Sequence, residues 1–589
     1  MQGIILRLRL VRRALNAEYV RMSVGHHSPP ARPVIRMVIL TATALCVGAA
    51  ASFAAIAFVE LVSMLNSALL VAPRARVQWE ALPWLITLAT LLVPTLGGLC
   101  VGLLHRHLSP GRRPLGPPDV IRAVQFHRPL PDTRSGLVSS LTAVVSLGTG
   151  ASVGQYGPMV YLGALCGGAV RKLRAGVPNL DGIAISCGVA AAIATAFNAP
   201  IAGLVFAHEV VLRHYATQAF APVTVASVTG YVIANVVFER PALFLVDFAG
   251  VAHGYEFALF ALLGLLVSLA AIGFMRLVLA CGPWIARLIS HPALRPGAAG
   301  LAVGLTALAL PDVLGIGTET LRFATIEGAF GQGELVVLIL AKILLTALCV
   351  GAGFSGGVFS PALLIGSLIG ALFWVLVSGA GGIPTSGVAV YAIGAMMALD
   401  SAVIGAPLTC ILIVFELTRN YDITIAAMVA VVFSNLVSHR LFGRSLFDIQ
   451  LARRGMDFSR GRDRAHLAAL PVRDLLSAEA VTMTPENTPE EIARHLTERG
   501  WRQAFVLDAG GKLVGVYSPG EGQHPATLTF EDDTSLADAM ERMRGFVGDA
   551  VPVVARKDGR YLGAVSEADM VSAWLDHVAR IREEENAAL

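Results

Sequence analysis

Charged side chains are scarce in this chain. Asp, Glu, Lys and Arg make up 15% of its 589 residues, and hydrophobic residues make up 55%, whereas soluble domains average about 25% charged residues. A water-soluble fold is therefore excluded for most of the chain. The net charge of +4 is too small, and too concentrated near the termini, to indicate a nucleic-acid partner.

The sequence also lacks a CxxC pair. Its seven cysteines all lie in apolar segments, so neither a disulfide framework nor a zinc site is indicated. Neither the apolar part nor the polar tail contains a nucleophile with a neighbouring base or a metal-ligating cluster. We therefore expect that the protein is not an enzyme and that it requires no cofactor or metal.

Long apolar runs recur between residues 34 and 441. Several approach the roughly 20 residues that a helix needs to cross a bilayer, whereas others are short or interrupted by Gly and Pro. Arginines cluster before the first run and after the last, and the positive-inside rule then places both termini in the cytoplasm. The sequence predicts a multi-pass protein of the cell membrane (inner or plasma membrane), in contact with lipid, with a polar C-terminal part.

Two stretches about two hundred residues apart repeat one Gly and Pro pattern. GQYGPMVYLGALCG (154–167) and GVFSPALLIGSLIG (357–370) share glycine at the first, tenth and fourteenth positions and proline at the fifth. Each stretch is followed by an Ala-Pro pair and, nine residues after that proline, by a glutamate, Glu209 or Glu416. Two matches in the same order indicate an internal duplication.

Interrupted membrane segments at corresponding positions of two halves point to a binding site near the bilayer midplane. Pro158 and Pro361 each suit the first turn of a helix. A helix N-terminus offers free N–H donors and a partial positive charge, which favour an anion. Two such ends from opposite halves would form an anion site without a buried Lys or Arg. Alternatively the glycines only let helices pack closely, and the two interpretations are compatible.

In this order, the stretches resemble the CLC family of chloride channels and chloride/proton antiporters. The sequence GQYGP (154–158) corresponds to the family's G-x-E-G-P motif, and GVFSP (357–361) matches its G-x-F-x-P motif. The resemblance implies an all-α polytopic membrane domain with an inverted internal repeat. It also implies a homodimer with one pathway per subunit for chloride or another small anion.

The departures from the family bear on mechanism. By resemblance, Tyr156 stands where the family has a gating glutamate, and Val210 where its antiporters have an internal proton-transfer glutamate. Leu115 replaces a serine or histidine beside the central anion, and Phe447 replaces a tyrosine there. A phenol stays neutral at physiological pH because its ordinary pKa is about 10. Tyr156 could therefore block or hydrogen-bond an anion, but it would shuttle protons poorly; alternatively it only fills space. The resemblance assigns the anion pathway to Leu115, Gly116, Gly154, Gln155, Tyr156, Gly157, Pro158, Gly357, Val358, Phe359 and Phe447.

Three further acidic residues lie in the apolar part of the chain, and the sequence says less about their roles. Glu209, next to Val210, is a functional candidate because ionisable residues are costly in a membrane. The resemblance places it and Glu416 away from the central anion. We expect Glu416 to hold a helix end or an interface, and Asp400 to cap the helix that leads to Pro407.

The polar tail is predicted to form two α/β units of one plan. In the first, Thr488 starts a helix with capping-box spacing, and two alternating strands around a glycine turn follow. This resembles a pair of CBS domains. By resemblance, Gly563, Ser566 and Asp569 match a motif that binds adenine nucleotides, with a hydroxyl for phosphate and a carboxylate for ribose. In the first unit, Glu521 stands at the position that corresponds to Asp569. The residues before Glu521, however, disturb the helix start that the motif requires. The alternative is a purely structural dimerising tail.

The predicted function is passive transport of an anion, chloride first, through a CLC-type channel with Tyr156 at the external gate. One alternative is a proton-coupled antiporter that uses Glu209 or Asp119. Another is a non-conducting membrane protein that senses nucleotides. The predicted domains are a cytoplasmic N-terminal basic segment (1–35), a CLC-like transmembrane anion-pathway domain (36–449), an Arg-rich linker (450–470) and two CBS domains (471–526 and 527–589).

Overall fold

The structure is a computed structural model of the chain. It describes residues 33–586 except 110, 112, 173–176, 178, 241–249, 381, 459–460, 478–479, 485 and 547. Most of the predicted N-terminal basic segment, residues 1–32, lies outside the described residues. The predicted domain boundaries stay predictions.

Helices form the apolar part of the chain, and they share one large hydrophobic core. Eight of them, among the described residues, are long and apolar enough to cross a membrane. The prediction of an all-α multi-pass membrane domain is confirmed. The helices are α1 (Pro33–Ala68), α2 (Pro73–Val77), α3 (Pro83–Leu108), α4 (Pro117–Gln125), α5 (Thr133–Gly148), α6 (Tyr156–Gly168), α7 (Leu180–Phe197), α8 (Pro200–Phe206), α9 (Thr217–Val232), α10 (Glu256–Leu288), α11 (Arg295–Ala309), α12 (Thr318–Phe323), α13 (Gln332–Ala352), α14 (Phe359–Trp374), α15 (Val388–Ile404), α16 (Pro407–Thr418), α17 (Tyr421–Leu441) and α18 (Leu446–Ala452).

Corresponding breaks interrupt the helices of the two halves. After α7, Asn198 adopts a φ of 57°, and after α15, Gly405 adopts a φ of 76°. Gly and Asn are the residues that most readily take this left-handed conformation where a helix ends. Pro200 and Pro407 then begin α8 and α16, because the fixed φ of proline suits the first helical position. The sequence therefore builds the same helix–turn–helix unit twice, as the duplication predicts.

Most glycines of the two repeated stretches lie at close helix contacts. A Cβ on Gly163 or Gly167 would come within 2.3 and 2.2 Å of carbonyl oxygens of α7. A Cβ on Gly366 or Gly370 would come within 2.7 and 2.3 Å of carbonyl oxygens of α15. The close-packing interpretation is therefore correct for these glycines. The first glycine of each stretch has a different role, described below.

Two α/β units form the polar tail, and both have the predicted plan. In each, a short strand pairs in parallel with the first strand of an antiparallel hairpin. Thr488 and Glu491 exchange capping bonds at the start of the first unit's helix, as their spacing predicts. The two sheets have the orders β1-β2-β3-β4 and β5-β6-β7. The elements are α19 (Arg462–Ala468), β1 (Thr482–Met483), α20 (Pro489–Arg499), β2 (Ala504–Leu507), β3 (Leu513–Ser518), β4 (Gly522–His524), β5 (Phe530–Glu531), α21 (Leu536–Arg542), β6 (Ala550–Val554), β7 (Tyr561–Ser566) and α22 (Glu567–Asn586).

Two arginines of the segment between α18 and the tail bind side chains of the membrane domain. The guanidinium of Arg454 lies 2.9 Å from a carboxylate oxygen of Asp119. Arg462 donates from Nε to the Gln125 side chain at 2.9 Å. Both acceptors belong to α4, which directly follows Leu115 and Gly116. The linker therefore anchors the tail to this helix.

Candidate functional site

The two repeated stretches meet through their first glycines. Gly154 N–H donates to the Gly357 carbonyl, and Gly357 N–H donates to the Gly154 carbonyl, both at 2.7 Å. Because α6 and α14 begin two residues later, the start of one lies beside the start of the other. A Cβ on Gly154 would lie 2.9 Å from the Ser360 nitrogen and 3.0 Å from the Gly357 oxygen, so the approach requires glycine. Helix ends of opposite halves are thus brought together.

Two backbone N–H groups beside this bridge have no protein acceptor. Within the part of the chain that the structure describes, the N–H groups of Val358 and Phe359, at the start of α14, make no hydrogen bond. Gln155 N–H, in contrast, donates to the hydroxyl of Ser360 at 3.2 Å. First-turn N–H groups of a helix carry its partial positive charge. The second half therefore supplies two open donors to this site.

Tyr156, the first residue of α6, is buried in an aromatic cluster. Its ring stacks on Phe197 with centroids 4.2 Å apart and meets the edge of Phe359 at 5.0 Å. Only 5% of the residue is exposed. Gly157 and Pro158 continue the first turn of α6. Phe197 ends α7 in the first half, and Phe359 begins α14 in the second. The tyrosine therefore packs between side chains of the two halves.

Leu115 and Phe447 lie on neighbouring elements. Leu115 is half-buried, and its N–H donates to the hydroxyl of Ser139 in α5 at 2.9 Å. Phe447 is buried in α18, which packs against α4. Neither side chain carries a hydrogen-bond donor, so these two positions offer an anion no side-chain donor.

Asp119, at the start of α4, uses both carboxylate oxygens in hydrogen bonds and ion pairs. Its carboxylate accepts the N–H of Gly116 at 3.2 Å, and it pairs with Arg113 at 2.6 Å and Arg454 at 2.9 Å. The side chain is 3% exposed. A carboxylate held by two guanidinium groups acts as a helix cap and ion-pair partner, which weakens the alternative in which Asp119 carries protons.

Glu209 and Glu416 cap helices of the opposite half. The Glu209 carboxylate accepts the N–H groups of Leu408 and Thr409, at the start of α16, at 3.0 and 2.8 Å. It also accepts the Thr409 hydroxyl at 2.7 Å. Glu416 accepts two N–H groups at the start of α8, at 2.9 and 2.7 Å. Such reciprocity is what a two-fold relation between the halves produces. The expectation that Glu416 holds a helix end is confirmed, and Glu209 has the same role.

Asp400 does not cap α15, the helix that leads to Pro407, so that expectation is wrong. It lies inside α15, before the break at Gly405, and is fully buried. Its Oδ2 lies 3.8 Å from the thiol of Cys410. The next helix, α16, is capped by Glu209. Asp400 is a buried acid with one carboxylate oxygen, Oδ1, that has no partner among the described residues.

Val210 is buried in the π-helical turn Ala207–Leu212, which continues α8. Its side chain is apolar and cannot carry a proton. Neither Tyr156 nor Val210 therefore offers a carboxylate at this site.

A buried lysine lies behind the loop that leads to Tyr156, and the sequence analysis missed it. Lys342 of α13 is 1% exposed. Its Nζ donates to the carbonyls of Val313 and Gly315 at 3.0 and 2.8 Å. Gly315 N–H in turn donates to the carbonyl of Gly150 at 2.9 Å. The available signal was a single lysine in the apolar run LILAKILL, since intramembrane charges are functional candidates.

Gly563, Ser566 and Asp569 lie together where β7 meets α22. The Ser566 hydroxyl donates to Asp569 Oδ2 at 2.6 Å, and Asp569 N–H donates back at 3.1 Å. A Cβ on Gly563 would come within 3.1 Å of Leu476. In the first unit, Glu521 lies in the turn between β3 and β4 rather than at a helix start, as its preceding residues predict.

Comparison with known proteins gives the family. Residues 97–439 match the family model described as "Voltage gated chloride channel", and residues 472–521 and 524–576 match the CBS domain. A protein from Ralstonia nicotianae, named as a ClcB-like chloride channel protein, is 32% identical over 423 residues, which are 70% of this chain and 97% of that protein.

Relatives named as exchangers are similar as well. The "H(+)/Cl(-) exchange transporter ClcA" of Cronobacter sakazakii is 29% identical over 394 residues, which are 63% of this chain and 81% of that protein. The crystal structure of a eukaryotic CLC transporter matches with a TM-score of 0.63 at 18% identity, over 91% of this chain and 98% of that chain. The chain therefore belongs to the CLC family of anion transport proteins and carries a pair of CBS domains after its membrane domain.

Proposed function

We propose that the protein is a passive anion channel that conducts chloride, with Tyr156 as its gate. The observation that carries the proposal is the position of this tyrosine. Its ring lies between Phe197 of the first half and Phe359 of the second, and Phe359 carries one of the two open N–H groups. A neutral aromatic ring at this place closes the pathway sterically, and its displacement would expose the donors to an anion.

Electrostatics favours an anion over a cation at this site. The N–H groups of Val358 and Phe359 lie at the positive end of α14. The amine of Lys342 lies behind the loop before Tyr156, and it donates to two backbone carbonyl oxygens there. Backbone donors bind halides without demanding a particular geometry, and chloride is the anion named for the relatives.

The proposal of a passive mechanism rests on three side chains. Val210 is apolar, and Glu209 and Asp119 each use both carboxylate oxygens in caps or ion pairs. A carboxylate that binds and releases protons during transport would have to break these contacts in every cycle. Passive conduction requires no such step.

One observation favours proton-coupled antiport as a second candidate. Asp400 is fully buried and has an oxygen without a partner among the described residues. Ionisable residues in a membrane interior mark ion pathways and proton relays. In this second candidate, Asp400 takes the place of the missing glutamates.

Chloride release from liposomes tests the proposal. Purified protein is reconstituted into vesicles loaded with potassium chloride, and valinomycin is added to carry the compensating potassium. We expect chloride to leave at once, with no change of external pH. Proton movement in proportion to chloride would support the second candidate, and no release above protein-free vesicles would leave the non-conducting alternative.

We also propose a homodimer with both termini in the cytoplasm. The resemblance to the family supports the dimer. The orientation rests on arginines in the last turn of α17 and just after it, including Arg440, Arg444, Arg453 and Arg454, since cytoplasmic flanks of membrane spans are rich in Arg and Lys.

We further propose that the CBS pair binds an adenine nucleotide at Ser566 and Asp569. The hydroxyl donates to Asp569 Oδ2 in this structure, and it would turn to a phosphate oxygen when the nucleotide binds. The carboxylate uses Oδ2 within the cap of α22, which leaves its other oxygen for ribose hydroxyls. We expect AMP or ATP to bind the full-length protein in calorimetric titration, and the Asp569→Ala variant to lose this binding. Glu521→Ala is the matched control and should bind as the wild type does. Equal binding by the Asp569→Ala variant would contradict the assignment.

A further inference from the structure

The loop that leads to the open donors is anchored by one side chain. Residues 353–358 connect α13 to α14, and two glycines follow Ser355 within this loop. Ser355 is 1% exposed, and its N–H donates to the Ser146 hydroxyl at 3.1 Å. Its own hydroxyl lies 2.8 Å from both Nε2 of His105 and Oγ1 of Thr142. Ser355 therefore fixes the segment that ends in Val358.

The direction of these hydrogen bonds follows from the number of hydrogens that each hydroxyl can donate, which is one. Thr142 donates its single hydroxyl hydrogen to the Ser139 carbonyl at 2.8 Å, so its oxygen accepts from Ser355. Ser355 then has no hydrogen left for His105. The imidazole must therefore donate from Nε2, which makes it the Nε2–H tautomer when neutral. Its Nδ1 is buried and has no partner within the described chain.

One polar face of α5 holds both loops of the candidate site. Ser139, Thr142 and Ser146 are three and four residues apart, so they share a helix face. Ser139 accepts the N–H of Leu115, in the loop before α4. Thr142 and Ser146 accept from the loop before α14. His105, in the last turn of α3, adds a donor from a second helix.

We propose that His105 is a positioning residue for anion transport. Its Nε2–H holds Ser355 in place, and Ser355 holds the loop that presents the Val358 and Phe359 N–H groups. His105 itself does not contact the anion. The inference rests on the proposed function, because it takes these two N–H groups as the donors that bind the anion.

Variants of the full-length protein in liposomes test this role. His105→Gln keeps an amide N–H near the Nε2 position, whereas His105→Asn carries the same amide one methylene shorter and cannot reach Ser355. Ser355→Ala removes the acceptor. The readouts are the half-saturating chloride concentration and the preference for chloride over nitrate.

We expect His105→Asn and Ser355→Ala to raise the half-saturating chloride concentration about tenfold, because a buried polar group loses its partner and the loop loosens. His105→Gln should stay within about twofold of the wild type, since its donor is kept. The double variant, His105→Asn with Ser355→Ala, should be no worse than Ser355→Ala alone, because that substitution already removes the contact with His105.

Three results would refute the positioning role of His105. Unchanged chloride dependence in both His105→Asn and Ser355→Ala would show that the contact does not position the donors, and equal weakening by Gln and Asn would show that the Nε2 donor is irrelevant. Additive effects in the double variant would also refute it. If a His105 variant does not give monodisperse protein, Ser355→Ala is compared with Thr142→Val, which removes only the Thr142 partner, and equal effects of the two would refute the role. Absence of chloride flux in the wild type would instead refute the proposed function, and this role with it.

Discussion

Replacing Tyr156 by alanine is expected to raise chloride flux about tenfold. Two ring contacts, with Phe197 and Phe359, hold the side chain in its closed position. Such aromatic pairs contribute about 0.5–1.5 kcal/mol each, and about 1.4 kcal/mol corresponds to a tenfold change in an equilibrium. Alanine removes both contacts and most of the steric block. The measurement is initial chloride release from liposomes at equal protein density.

Tyr156→Phe is the matched control for this change. It keeps both ring contacts and removes only the hydroxyl, so the flux should stay near that of the wild type. A change of anion preference in the Phe variant would then report hydrogen bonding by the hydroxyl. If Tyr156→Ala leaves both the flux and the preference unchanged, the tyrosine only fills space and the gate lies elsewhere.

Replacing Glu209 by alanine is expected to destabilise the protein without altering its response to pH. Two N–H groups at the start of α16 would lose their acceptor. Each unsatisfied group costs about 1–3 kcal/mol, so the free energy of unfolding should fall by about 2–6 kcal/mol for the two groups. Thermal unfolding in detergent should show a clearly lower midpoint.

Glu416→Ala supplies the control, because the two glutamates exchange equivalent caps. Its midpoint should fall by a similar amount, since two N–H groups of α8 lose their acceptor. Glu209→Gln keeps an acceptor oxygen and should lie between the Ala variant and the wild type. An unchanged midpoint together with a changed pH response of flux would instead identify Glu209 as a proton carrier.

Local features of the fold could be predicted from short windows of sequence. The capping pair Thr488 and Glu491, the prolines that open α8 and α16, and the two tail hairpins depend on residues within a few positions of one another. The duplication was visible because Gly and Pro mark backbone conformations that few other residues adopt.

The partners of polar side chains could not be predicted in this way. Glu209 was recognised as costly in a membrane, but its partners lie about two hundred residues away, and only the assembled repeat brings them together. The same holds for His105 and Ser355, which are 250 residues apart. Asp400 was misassigned because sequence proximity to Pro407 suggested a cap, whereas α15 continues past it.

The linker contacts suggest how the tail and the membrane domain affect each other. Arg454 and Arg462 bind Asp119 and Gln125 of α4. The loop before α4 contains Leu115, whose N–H is held by α5. Displacement of the CBS pair would therefore act first on α4 and on the loop before it.

The reversal potential of the purified protein in liposomes tests the central claim most directly. It is measured under a chloride gradient, with and without an opposing pH gradient. A passive channel gated by Tyr156 predicts a potential that follows the chloride gradient alone and does not change when the pH gradient is added. A potential that shifts with pH at a fixed stoichiometry would contradict passive conduction, and Asp400 would then be the first acid to neutralise.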